Sequence, residues 1–138
     1  MIGLISNIRE LNEHAKKSGK QYKQAIIEYY RTIGESQGFT TAENSSVINN
    51  TVNYGNIDLV WIEPNIVFCI EFGLLDDIYK HFFRLIQLRP SLSVLILSSN
   101  SKCRPDKVEE IIKKTPELKF LRDKTVIVDV NECSVTKT

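Results

Sequence analysis

The stretch NIDLVWIEPNIVFCIEFG, residues 56–73, decides the fold. It holds two apolar runs, 56–62 and 65–73, joined by the polar link Glu63-Pro64. β-Branched and aromatic residues crowd both runs, and the Pro-Asn step between them predicts a hairpin turn about Glu63-Pro64-Asn65. Each run also carries one carboxylate, Asp58 in the first and Glu71 in the second. Taking a carboxylate into an apolar strand is costly unless it is paired, hydrogen-bonded or holding a cation. If the two runs pair as adjacent strands, both carboxylates can project into one small volume. That arrangement suits a hard divalent cation such as Mg²⁺, and a metal beside a phosphate suits phosphodiester chemistry.

Outward from this hairpin, the chain alternates. Tyr22, Ala25, Ile26, Tyr29, Tyr30 and Ile33 recur every three or four residues and predict a helix over 19–35, weakened and ended by Gly34 and Gly38. Leu4, Ile5, Ile8 and Leu11 suggest a shorter helix before it. Residues 39–47 read as a strand, 49–56 as a turn-rich link with Tyr54-Gly55-Asn56 as a tight turn. After the hairpin comes a helix over 74–88 with Asp76 and Asp77 in its first turn and an apolar face of Leu75, Ile78, Tyr79, Phe82, Leu85 and Ile86. A buried strand at 92–97, a helix opened by Pro105 and running to Lys114, and a strand at 125–130 complete the pattern. The tail 131–138 is expected to fray. The order is therefore α-β-β-β-α-β-α-β, an α/β domain with a mixed sheet flanked by helices and a core over about 19–130. The last three strands are expected to be parallel.

At 138 residues, with 42% apolar and 25% charged residues, the chain suits a single globular domain. A net charge of +1 selects neither for nor against nucleic acid. Three cysteines without CxxC spacing make neither a disulfide framework nor a zinc motif. Cys69 suits a strand core, while Cys103 and Cys133 read as free thiols in polar surroundings. His14 and His81 are not spaced as ligands. No P-loop or GxGxxG is present. The N-terminus lacks signal-peptide character and no apolar run is long enough for a membrane, so a cytoplasmic protein without membrane partners is expected.

Three features together resemble the restriction-endonuclease-like, or PD-(D/E)xK, nuclease superfamily: Glu28 within KQAIIEYYRTIGESQGF, Asp58 in GNIDLVWI and Glu71 in IVFCIEFG. The element order over 19–97 is similar too, and residues 19–39 resemble the opening of archaeal Holliday-junction resolvases. The resemblance implies a metal-dependent DNA endonuclease, acting on branched or structured DNA and often homodimeric. It implies that Asp58 and Glu71 bind Mg²⁺ or Mn²⁺, that the Phe72 carbonyl adds a ligand and that Glu28 reaches the metal through water. A metal-activated water would then attack in line and leave a 5′ phosphate.

Two positions depart from that pattern. Ile57 replaces the motif proline, and Gly73 replaces the motif lysine. Lys80 is the best candidate to supply the missing cation, on a polar stripe with Asp77, Arg84 and Gln87, and Lys20 and Lys23 are further candidates. Lys20, Lys23 and Arg84, with Lys102 and Arg104 after the fourth strand, are candidate phosphate contacts. Each residue also has a structural reading: Glu28 as a solvated helix residue, Asp58 as a cap of the Tyr54–Asn56 turn, the Lys80 stripe as an exposed face. The alternatives to an enzyme are a degenerate nuclease fold that binds nucleic acid or assembles with a partner, and a small α/β regulatory domain whose acids are structural.

Overall fold

The expected hairpin lies inside a six-stranded sheet. In the computed structural model, which describes residues 1–138, strand β2 (Val52–Trp61) turns back as β3 (Ile66–Ile70), with Asn65 at φ 55° closing the turn. Strands β1 (Thr41–Asn49), β4 (Leu92–Leu97), β5 (Thr125–Asp129) and β6 (Ser134–Lys137) extend the sheet in the spatial order β1-β2-β3-β4-β5-β6. The strands from β1 to β3 are antiparallel, those from β3 to β5 are parallel as expected, and β6 runs antiparallel to β5. Parallel neighbours need crossovers. These are α4 (Ile78–Leu88), entered through a 3-10 turn at Leu75–Asp77, and α5 (Pro105–Lys114), continued by a 3-10 segment at Pro116–Leu121. Helices α1 (Ile2–Ile5), α2 (Ile8–Ser18) and α3 (Tyr22–Ser36) precede the sheet. No helix is long and apolar enough to cross a membrane.

Side-chain alternation along the strands builds a core on each face. Phe68, Ile70, Val94, Ile96, Val126 and Val128 point to one face, against Ile5, Ile8 and Leu11 and the Ile26–Tyr30 stretch of α3. Val67, Cys69, Leu95, Leu97 and Ile127 point to the other, against Ile78, Phe82 and Leu85 of α4 and Val108 and Ile112 of α5. On the α3 face, Trp61 packs edge-on against Phe68 with ring centroids 4.8 Å apart, and its indole N–H donates to the Tyr30 carbonyl at 3.0 Å. The Tyr30 hydroxyl donates to the Ile5 carbonyl at 2.8 Å, which fixes the N-terminal helices to α3.

Four expectations are corrected. The tail does not fray: residues 134–137 form β6, anchored by Thr138 N–H to the Thr125 carbonyl at 2.9 Å and by Val135, which packs on the core. Residues 52–56 are strand, not turn; the turn lies at Asn50-Thr51, and Gly55 at φ 96° sits within β2. Cys103 is fully buried rather than in polar surroundings. Gly34 does not end α3, which runs on to Ser36; Gly38 at φ 86° follows its end.

Gly34 is glycine because Trp61 needs its place. A Cβ there would lie 2.4 Å from the indole nitrogen, and that nitrogen is tied to α3. Gly34→Ala is expected to destabilise the fold by about 1–3 kcal/mol through overpacking, read as a lower denaturant midpoint at unchanged m-value. Wild-type stability for this variant would show that the Trp61 contact is not tight.

Candidate functional site

The site forms where β2 parts from β3. Their ladder pairs Trp61 with Ile66, Val60 with Val67 and Leu59 with Phe68, and there it stops. The next amide of β3 in line, Ile70 N–H, is instead taken at 2.8 Å by the Asp58 carboxylate (Oδ2). Asp58 therefore replaces a backbone acceptor and wedges the strands apart. It does not cap the Tyr54–Asn56 segment. The alternation of β2 breaks at the same residue: Ile57 and Leu59, two apart and due on one face, belong to opposite cores. An irregularity of this kind re-aims side chains.

The opening is a solvent-open cleft of about 540 Å³ lined by Asp58 and Glu71 together with Lys23, Lys80, His81 and Arg84, and also by Asn44, Asn56, Asp77 and Gly55. Lys23 Nζ of α3 lies 3.0 Å from Asp58 Oδ1. Glu71, just past the end of β3, accepts from Gly73 N–H at 2.9 Å through Oε2 and contacts His81 Nε2 at 3.0 Å through Oε1. Every oxygen of the two carboxylates thus has a protein partner.

His81, which the sequence left without a role, sits on the buried face of α4 and takes a place expected for an apolar residue. Tyr79, expected on that face, is exposed. Burial lowers the His81 pKa, and this outweighs the opposing effect of its hydrogen bond to Glu71. Its buried Nδ1 has no partner, which suits a lone pair and not an N–H. The contact is therefore a hydrogen bond from neutral His81 Nε2–H to Glu71, not an ion pair. The signal available in the sequence was a histidine at three- and four-residue spacing from Ile78 and Leu85.

The remaining candidates divide. Lys80 lines the cleft but leans on Asp77 at 3.8 Å, so of the two lysines in the cleft it is Lys23 that contacts Asp58. Arg84 lines it too, yet its Nε donates to the Tyr54 carbonyl at 2.7 Å, and its guanidinium lies where a Cβ on Gly55 would be. Glu28 stays outside the cleft, paired to Lys20, whose hydrogen bond holds its carboxyl below the usual range. The Phe72 ring stacks on Tyr22 at 5.5 Å. Lys102 is exposed on the loop after β4, and Arg104 pairs with Asp106 at 3.2 Å beside a separate groove. A larger groove of about 710 Å³ beside α2 and α3, lined by Arg9, Glu10, Glu13 and Lys17 among others, holds none of the nominated residues.

Gly73 is part of the same construction. A Cβ on it would lie 2.8 Å from Glu71 Oε2 and 2.9 Å from Asp77 Oδ2, and these oxygens accept from Gly73 N–H and Leu74 N–H. A side chain at 73 would push both carboxylates off their amides. Beneath them Cys103 is buried, its thiol pushed up to about 12 by burial, with the Glu71 and Asp77 charges adding to the shift. It is an inert thiol. No set of three or more His, Cys, Asp or Glu side chains is arranged to hold a metal ion.

Two predictions come from this geometry. Asp58→Ala leaves Ile70 N–H without an acceptor and is expected to cost about 1–3 kcal/mol. Asp58→Asn keeps an acceptor oxygen and should cost clearly less; equal losses in denaturation would show that the Ile70 bond is not what Asp58 supplies. The second concerns pH. An unfolded His titrates near 6.5, while the folded His81 resists the proton. Below about pH 6.5 the unfolded chain gains a proton that the folded chain does not, so stability falls as pH falls. His81→Gln should flatten this part of the stability–pH curve, and an unchanged slope would refute the assignment.

No protein-family model, no curated protein and no solved structure matches this chain, so the resemblance seen in the sequence gains no support from them.

Proposed function

We propose that the cleft acts on the phosphodiester backbone of DNA, as an endonuclease of the restriction-endonuclease-like type working with Mg²⁺ or Mn²⁺. The observation that carries this reading is the meeting of Asp58, Glu71, Lys23 and Lys80 in one open cleft, brought there from β2, the end of β3, α3 and α4. The order of helix, three antiparallel strands, helix and parallel strand around it is the order that the resemblance implies, which supports the same reading.

The donor chemistry fits a hard cation. Mg²⁺ is usually held by one or two carboxylates with waters and substrate phosphate, not by an all-protein cage. Asp58 and Glu71 offer two such donors on one cleft, with the Phe72 carbonyl next in the chain. They would hold the ion in competition with Lys23 at Asp58 Oδ1 and His81 at Glu71 Oε1. When bound, the ion supplies Lewis-acid polarisation of the phosphate and a water of lowered pKa. The chain's own part is position and charge. Ile70 N–H fixes Asp58, and His81 and Gly73 N–H fix the rotamer of Glu71. Lys23 and Lys80 bring two ammonium groups to the place where a phosphate would gain negative charge.

A second reading has its own observation. With Gly73 closed over by Glu71 and Asp77, and all four oxygens of Asp58 and Glu71 already engaged, the site is internally satisfied. That suits a degenerate nuclease fold that binds nucleic acid, or assembles with a partner subunit, without cutting.

Incubating the protein with supercoiled and branched DNA in Mg²⁺ or Mn²⁺ separates the two. The expected result is nicking that falls by about 100-fold or more in Glu71→Gln and Lys23→Ala. Wild-type DNA binding without cleavage, surviving Glu71→Gln, would establish the second reading. Neither binding nor cleavage would end both nucleic-acid readings and leave only assembly with a partner subunit.

A further inference from the structure

Seven non-glycine residues have positive φ, and six of them lie in turns or at a helix end: Asn50, Thr51, Asn65, Arg89, Asp123 and Cys133. The seventh, Asn44 at φ 51°, lies inside β1. It falls between the registered pairs Glu43↔Leu59 and Ser45↔Ile57, directly across from Asp58, and is not itself paired. A left-handed residue within a strand is strained, and such strain persists where surrounding structure enforces it, often at functional sites. Asn44 also lines two spaces at once: the cleft with Glu71 and His81, and an adjoining groove of about 310 Å³ formed with Gln21, Gln24 and Glu43. Lys23 and Asp58 are shared by both, so the two adjoin along one trough-like surface at the Lys23–Asp58 contact.

The carboxamide of Asn44 is oriented by its neighbours. Ser46 Oγ donates to Asn56 Oδ1 at 3.1 Å, and Asn56 Nδ2 donates to Asn44 Oδ1 at 3.1 Å. This relay occupies the Asn44 oxygen and leaves its NH₂ as the free end, a neutral donor in spaces that Asp58 also lines. A neutral donor can approach a phosphate oxygen without adding to the charge that Lys23 already supplies.

We infer that Asn44 is an anion-contacting residue of this trough, donating from Nδ2 to a backbone phosphate of nucleic acid held next to Asp58. This rests on the reading of the cleft as a nucleic-acid site and adds a contact residue that the motif does not contain. The left-handed backbone is the device that turns the amide over the trough, which gives the strained residue opposite Asp58 a role.

The test compares wild type with Asn44→Gly, which relieves the backbone strain and removes the amide, and with Asn44→Asp, which tolerates the conformation but replaces the donor by a carboxylate. Binding of a labelled duplex is measured at fixed salt, denaturation midpoints are recorded, and the Asn44 side-chain amide resonances are followed by NMR during titration with inorganic phosphate. The expected result is a fold as stable as wild type or more so in Asn44→Gly, with DNA affinity about tenfold weaker, and a larger loss in Asn44→Asp. DNA affinity unchanged in both variants overturns the inference while leaving the cleft's assignment intact. If wild type binds no DNA but the Asn44 amide shifts with phosphate, the anion contact stands and the nucleic-acid reading fails. If neither occurs, both fall.

Discussion

The hydrogen bond from Ile70 N–H to Asp58 is the interaction on which the site depends. An amide left without an acceptor at the end of a buried strand costs a sizeable fraction of a small domain's stability. Here the acceptor is a side chain of the neighbouring strand, so the ladder between β2 and β3 ends three pairs from the turn. The consequences spread in both directions. β2 loses its alternation at Asp58, β1 adopts a left-handed residue opposite it, and β3 runs on past its last registered pair to deliver Glu71 into the space that opens. The cleft is made by the sheet's own irregularity rather than by loops placed over a regular sheet.

Magnitudes then sort the partners of Asp58. The bond to Ile70 N–H is charge-assisted and screened from water, a class worth about 1.5–3 kcal/mol. The contact with Lys23 joins a lysine side chain that is 53% exposed to an Asp58 side chain that is 11% exposed, and a pair open to water on its cationic side contributes only about 1 kcal/mol after solvent screening. One oxygen is therefore committed to the fold, and the other is held by a partner that an arriving ligand can displace at little cost. Glu71 is the reverse case. Its partner His81 is buried and neutral, so exchange at Oε1 means disturbing a packed imidazole whose second nitrogen already lacks a partner. Of the two carboxylates, Asp58 is the one whose outer contact yields readily.

Much of this was legible in the sequence because burial writes itself as apolar pattern. The runs around Asp58 and Glu71, the strand at 92–97 and the helix from Pro105 to Lys114 were found that way, and the two carboxylates stood out because they interrupt such runs. What was missed has no apolar signature. β6 is short and mostly polar, and its place in the sheet comes from pairing with β5. Tyr54-Gly55-Asn56 has turn composition, yet it is strand, and its glycine serves the approach of the Arg84 guanidinium. Asn44 looks like a strand breaker and is a left-handed residue within one. His81 was hidden by type: a polar residue on an apolar helix face was left without a role, while Tyr79 was counted on that face.

The glycine at the lysine position takes on a different meaning in this setting. A lysine at 73 and the present arrangement exclude each other, because Glu71 and Asp77 occupy the volume its side chain would leave through and hold the amides of Gly73 and Leu74. Exchanging that residue alone would first displace the ends of these two flexible side chains, and with them their bonds to the amides, before it placed any charge. Positive charge must then reach the cleft from the helices on either side. α4 offers Lys80, which leans towards Asp77 and away from neither carboxylate by any bond of its own; α3 offers Lys23, already in contact with Asp58. The cation already in contact with the cleft's carboxylates is thus supplied by α3, through Lys23 at Asp58, and not by the strand on which the motif lysine would ride.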